Sequence, residues 1–325
     1  MKVLFLGFSV TASSPGYYYV LKEQESKGEL NFSVDFVALG GLHMHQLAYL
    51  LPELLKQKSA DVVVLELLTS GARKLGDSNP NLYYELPLRS IIEFLILNDK
   101  KIVFLNLFRK DVNYKNDIML DLFISLSCEY KLDLINVFDD FNRLEYPLEK
   151  YVWDYVHTTK KGAEYYAGRV ADYFLENSFS SKKSTFSIGR LAKESFFNSI
   201  PLIVKENNCF LGKGFILPWQ SLTVERELHF DFEEPTNSDM ICFITGPTAA
   251  AISLFVNGSQ VTSIRPFDAH SYYERVFVLP FKYNNIRKIT FKLEDVVPSI
   301  KLIKGDWDRS CRQVKLVSLF IRKED

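Results

Sequence analysis

The chain has 325 residues, 47% hydrophobic and 24% charged, with a formal net charge of −1. This is the composition of an ordinary soluble globular protein, and the length allows two or three domains. The near-neutral charge excludes a general attraction to nucleic acid or to an anionic membrane surface, and no apolar stretch reaches the length of a membrane span. The four cysteines, Cys128, Cys209, Cys242 and Cys311, are far apart without CxxC spacing. They read as reduced, mostly buried thiols rather than a disulfide frame or zinc site.

Val3 to Leu6 is a short apolar run closed by Gly7, which reads as a fully buried strand of a parallel sheet. It is a strand and not a signal peptide, so a cytoplasmic location is expected. Ser9 and a Thr/Ser/Pro/Gly turn follow. Tyr18 to Lys27 reads as a helix ending at Gly28, and Phe32 to Leu39 as a second strand stopped by Gly40-Gly41. His43 to Lys56 has helical spacing, with Pro52 expected to split it into two pieces. Asp61 to Leu67 is the most strand-like segment. Leu86 to Asn98 reads as a helix, Lys101 to Leu107 as a strand, Asn116 to Tyr130 as a helix and Leu132 to Val137 as a strand. A loop with Trp153, Asp154 and His157 precedes a last helix from about Lys160 to Asn177, capped by Thr158 or Thr159. Alternating strands and helices of this kind predict a doubly wound parallel sheet over residues 1–177.

The composition then changes. Residues 178–190 are rich in Ser and Lys and read as a linker. From 191 to 325 short alternating runs replace the helical pattern: 221–232, 240–245, 252–256, 275–279, 288–293 and 314–321. Asn257-Gly258 is a hairpin turn signal. These runs predict an antiparallel β-sandwich.

Three places in the first domain carry chemistry. Ser9 follows the first strand, and the carboxyl ends of the strands are where open α/β sheets place ligands. A serine hydroxyl needs an imidazole to take its proton, and the imidazole needs a partner that fixes its tautomer; Asp154 and His157, three residues apart, supply both. Gly40-Gly41 offers unobstructed N–H groups to an oxyanion, or merely ends a strand. His43 and His45 lie two apart at a helix start, which puts them on different faces; no metal site is expected. Glu66 ends a buried strand and is expected to pair with Arg73 or Arg109. Trp219, Tyr272 and Tyr273 could stack on sugar rings, although packing roles are the commoner use.

GFSV at 7–10, Gly41, LELLTSG at 65–71 and DYVHTTKKG at 154–162 together resemble the ordered blocks of the SGNH (GDSL-type) hydrolases. The resemblance spans residues 1–177 and implies a flavodoxin-like three-layer fold. It makes Ser9 the nucleophile, His157 the base, Asp154 its orienter, and Gly41, with the Ser9 N–H, an oxyanion donor. Phe8 replaces the family's aspartate before the nucleophile. Ser70 stands where the family has an oxyanion-hole asparagine; losing such a donor costs on the order of 100-fold in other serine hydrolases. The implied activity is that of an esterase or deacetylase, or an O-acetyltransferase with acetyl-CoA as donor, acting on an acylated carbohydrate and otherwise without a cofactor. The alternative is a carbohydrate-binding protein that kept the fold without the catalysis. Nothing in the sequence fixes an oligomeric state.

Overall fold

The computed structural model describes residues 1–69, 84–111, 117–137, 140, 147–177, 199–201, 208–212, 215–220, 222–294, 296, 298–310 and 312–322. The chain divides into two compact units, Met1–Ala192 with Lys213–Phe215, and Lys193–Gly212 with Ile216–Asp325. The expected linker at 178–190 lies outside the described residues.

In the first unit five strands, β1 (Lys2–Gly7), β2 (Ser33–Ala38), β3 (Val62–Glu66), β4 (Lys101–Asn106) and β5 (Asp133–Asn136), form one sheet in the order β2-β1-β3-β4-β5. Every pairing is parallel. The inner strands β1, β3 and β4 are buried along nearly their whole length, which is why they read as unbroken apolar runs, whereas the edge strands β2 and β5 are only half-buried. The helices among the described residues are α1 (Ser9–Ala12), α2 (Tyr17–Ser26), α3 (Met44–Gln57), α4 (Leu86–Leu97), α5 (Ile118–Tyr130) and α6 (Lys160–Glu176). Alternate strand residues face opposite sides. Val3, Phe5, Val64 and Leu105 pack with Tyr17 and Leu21 of α2 and with Tyr166 and Val170 of α6. Phe104 points the other way, onto Phe123 of α5, with ring centroids 4.6 Å apart. The α3 and α4 helices pack on one another and take no part in the α2–α6 cluster. The sheet is therefore doubly wound, as expected. Its order reverses between β1 and β3, and the carboxyl ends of those two strands frame the crevice where such sheets hold ligands.

Pro52 does not divide its helix: α3 is continuous through it. A proline removes one helical hydrogen bond, and burial of Leu47, Leu50, Leu51 and Leu54 on both sides of it outweighs that loss. Cys242 is buried, but Cys128 is exposed on α5, against the expectation of mostly buried thiols. Cys311 and the side chain of Cys209 lie outside the described residues. Among the described residues no helix is long and apolar enough to cross a membrane.

The second unit is antiparallel. Its main sheet follows the order β12-β11-β13-β10-β14-β6, with β9 also paired to β14, while β7 (Asn208–Gly212) and β8 (Phe215–Gln220) form a separate ribbon. The runs expected as separate strands at 221–232 and 240–245 mostly belong to one strand, β10 (Glu227–Thr245), which the short β9 (Leu222–Val224) precedes. Likewise the runs at 275–279 and 288–293 are halves of β13 (Arg275–Leu293). The pairing of β10 with β13 shifts register three times between Asp231 and Met240. Pro235, with no N–H for a ladder, falls within that irregular stretch, and bulges of this kind bend a strand. The sheet curls at the bend. Phe243, in the second half of β10, packs edge-on to Phe291, which pairs with Leu228 in the first half of the same strand. One curled sheet thus supplies both packed layers. The remaining strands are β6 (Ser199–Pro201), β11 (Ile252–Val256), β12 (Ser259–Ile264) and β14 (Val314–Arg322). Asn257 and Gly258, both at positive φ, turn β11 into β12, as their sequence predicts. Tyr272 and Tyr273 pair with centroids 4.9 Å apart, and Tyr273 is exposed. The side chain of Trp219 lies outside the described residues.

Candidate active site

The site is built on the carboxyl ends of β1 and β3. Gly7 closes β1 beside Glu66, its partner in register. A Cβ on Gly7 would collide with the Thr11 hydroxyl and lie 3.0 Å from Glu66 Oε2. The chain can turn sharply into α1 only because position 7 has no side chain. Phe8 packs into the core, 2% exposed, where the resembled family carries a polar aspartate. Ser9 opens α1 and is half-buried. On the next loop Gly41 is exposed, and its N–H has no protein acceptor among the described residues. Ser70 and Arg73 lie outside the described residues.

Glu66 is fully buried, and it is not paired with Arg109. Its Oε2 accepts from Thr11 Oγ1 at 3.1 Å, and its Oε1 accepts from Thr69 Oγ1. Burial pushes this carboxyl up to about 7, and the hydrogen bonds from Thr69 and Thr11 hold it from rising further. Tyr17 donates to, or accepts from, the Thr11 hydroxyl at 2.9 Å. Arg109 instead bonds Asp111 and, at 2.7 Å, the carbonyl of Thr69.

Asp154 and His157 meet as their spacing predicts. Asp154 Oδ1 accepts the N–H groups of Val156, at 2.8 Å, and of His157, at 2.6 Å, which folds residues 154–157 into a tight turn. Its Oδ2 lies 2.6 Å from His157 Nδ1. Partial burial acts to raise the Asp154 carboxyl, but the two N–H groups and the imidazole outweigh it and hold it below the usual range. With Nδ1 committed to the carboxylate, Nε2 is the nitrogen left to take a proton. Trp153 lies nearly parallel to the His157 ring, 5.5 Å between centroids, and is itself 67% exposed. The helix that follows starts where the sequence places it: Thr159 caps α6 by accepting the Gly162 N–H at 3.1 Å. Gly162 is needed there because a Cβ would strike the Tyr151 carbonyl.

Four hydrogen-bonded ties join these loops in sequence. Glu66 joins the loops after β1 and β3; Arg109 joins the loop after β3 to that after β4. The Lys110 N–H bonds the Tyr155 carbonyl at 2.9 Å, and Thr158 Oγ1 bonds the Pro15 carbonyl at 3.1 Å, returning to the loop after α1. Ser9 and the Asp154–His157 turn therefore belong to one closed circuit of loops at one edge of the sheet. Ser9 is not hydrogen-bonded to His157 among the described residues; such bonds often tighten only when substrate arrives. His43 and His45 depart from expectation. His43 is the extended cap of α3, so the two rings stack 5.9 Å apart instead of facing apart. Burial pushes the His45 imidazole down to about 4, and the neighbouring His43 adds to the effect.

No family model and no curated protein sequence matches the chain. Solved structures do. A two-domain esterase, CEX, active on acetylated mannans, superposes with a TM-score of 0.63 at 15% identity, covering 100% of this chain and 92% of that one. Its structure co-crystallised with mannopentaose gives 0.64 at 14%, with the same coverage. The chain shares the fold of this two-domain esterase over its whole length. An acetyl xylan esterase, AlAXEase, matches 53% of this chain and 99% of its own, at 18% identity and a TM-score of 0.43.

Two features of the first unit are only partly legible in the sequence. Glu66 shows only as a carboxylate ending an apolar strand, because its donors lie in loops up to 55 residues away. Trp153 was visible as an aromatic next to Asp154-x-x-His157, a signal that points to the imidazole once the turn is recognised.

Proposed function

We propose that this chain is a serine esterase that removes acyl groups, acetyl in the first instance, from an acylated oligo- or polysaccharide. The observation that carries the reading is the Asp154–His157 pair, held in a backbone-fixed turn at the sheet edge that also bears Ser9. Likeness in fold to a mannan esterase over the whole chain supports the substrate class. So does the exposed face of Trp153 beside the imidazole, since pyranose rings stack on such faces.

In this reading Ser9 Oγ attacks the acyl carbonyl as its proton passes to His157 Nε2. The oxyanion accepts from the N–H groups of Ser9 and Gly41 and from the Ser70 hydroxyl. Collapse returns the proton to the departing sugar hydroxyl, leaving the acyl group on Ser9. Water, deprotonated by His157, then releases the acid. Asp154 stays ionised throughout and stabilises the imidazolium.

The test is labelling with a fluorophosphonate together with acetate release from acetylated mannan and xylan oligosaccharides. Ser9-dependent labelling and acetate release abolished in Ser9→Ala are expected. Absence of labelling, with sugar binding retained, would leave a carbohydrate-binding protein. Acetyl transfer from acetyl-CoA to a sugar hydroxyl at a rate above hydrolysis would make the enzyme a transferase.

A further inference from the structure

We infer that Glu66 is a positioning residue for the acyl-transfer chemistry: a buried carboxylate that locks the nucleophile loop after β1 to the oxyanion loop after β3. The inference rests on the reading of Ser9 as nucleophile. Glu66 receives one hydroxyl donor from each segment, Thr11 Oγ1 on Oε2 from one side and Thr69 Oγ1 on Oε1 from the other. Thr11 lies two residues after Ser9, and Thr69 is the residue before Ser70. Each donor is thus within two bonded residues of a group assigned to the tetrahedral intermediate, and a movement of the carboxylate displaces both loops together. A mere ion pair would not produce this arrangement, because Arg109 reaches the Thr69 carbonyl and Asp111 instead.

A donor on each oxygen calls for a group that only accepts, which an ionised carboxylate is and a carboxylic acid is not. With burial raising Glu66 to about 7, its proton is exchanged near neutrality. Among the described residues, the titratable and charged groups around it are Tyr17 of α2, hydrogen-bonded to Thr11 and itself held well above its usual range by burial and by Glu66, and Arg109 beyond Thr69.

The experiment combines an NMR pH titration of the backbone amides of the full chain with kinetics on p-nitrophenyl acetate. In the wild-type protein the Phe8 and Thr69 amide resonances are expected to shift with one common midpoint near 7, and that shared transition is expected to vanish in Glu66→Gln. In the same variant kcat is expected to fall at least tenfold with KM within about threefold, and Ser9 labelling to slow in proportion. Different midpoints for the two amides, or no titration of either, overturn the inference without reference to any variant. A kcat within twofold of wild type in folded Glu66→Gln also overturns it. Wild-type protein whose Ser9 is not labelled, but whose two amides share the midpoint, overturns the assignment of Ser9 while supporting the lock between the loops.

Discussion

Replacing Asp154 by Asn tests the site with little disturbance of the fold, because the structure dictates how the new amide must sit. Oδ1 of Asp154 accepts two backbone N–H groups, and only an oxygen can keep them. The Asn carbonyl must take that position, which puts its NH2 where Oδ2 now meets His157 Nδ1 at 2.6 Å. Facing a donor, Nδ1 must accept, so the ring proton moves to Nε2 and blocks the nitrogen that receives the Ser9 proton. In a deeply buried triad this change costs about 10⁴-fold in kcat. Here the two side chains are 29% and 25% exposed, so solvent softens the penalty, and about 10³-fold in kcat/KM is expected, or roughly 4 kcal/mol of barrier. Asp154→Ala gives up the turn as well and is expected to be at least as damaging, with a lower melting temperature. Hydrolysis of p-nitrophenyl acetate from pH 5 to 9, with circular dichroism melts of both variants, reads this out. A folded Asp154→Asn within tenfold of wild type would refute the tautomer argument.

Three further outcomes follow from the same geometry. Trp153→Ala should lower kcat/KM on an acetylated mannan oligosaccharide about tenfold more than on p-nitrophenyl acetate; equal losses would mean that Trp153 acts only on the imidazole. Gly7→Ala must push aside Thr11 or Glu66, and should destabilise the fold by about 1–3 kcal/mol in urea titrations, the usual range for overpacking; an unchanged midpoint would show that the crowding is relieved at no cost. Glu66 also ties stability to pH. Its carboxyl binds its proton more tightly folded than unfolded, so its contribution is fully present below about 4.5 and is lost as pH rises through about 7. The interval corresponds to on the order of 3 kcal/mol. The stability of wild type relative to Glu66→Gln should fall by that order between pH 4.5 and 8, and parallel curves for the two proteins would contradict it.

How much of this the sequence discloses depends on how local the cause is. The inner strands β1, β3 and β4 are apolar because both faces are covered, a property each segment carries by itself. Asp154, His157, Thr159 and Gly162 are legible for the same reason: the turn, the cap and the close approach to Tyr151 all arise within a dozen residues. Continuity of β10 is not local. Its halves read as two strands because the bulged stretch around Pro235 interrupts the alternation, and only pairing along β13 joins them. The same holds for Pro52, whose helix survives through tertiary packing, and for the His43–His45 stack, which an extended cap residue allows. Glu66 is the extreme case: Thr69 lies three residues on, but its second partner, Thr11, stands 55 residues away after β1.

The crowding of Gly7, Thr11 and Glu66 also constrains how this chain can diverge. A side chain cannot be added at position 7 while Thr11 keeps its hydroxyl against that spot, and Thr11 cannot shed its hydroxyl without taking a donor from Glu66. The three positions are therefore coupled: changes at Thr11 and Glu66 relieve the crowding before Gly7 gains a side chain, and the reverse order passes through a destabilised intermediate.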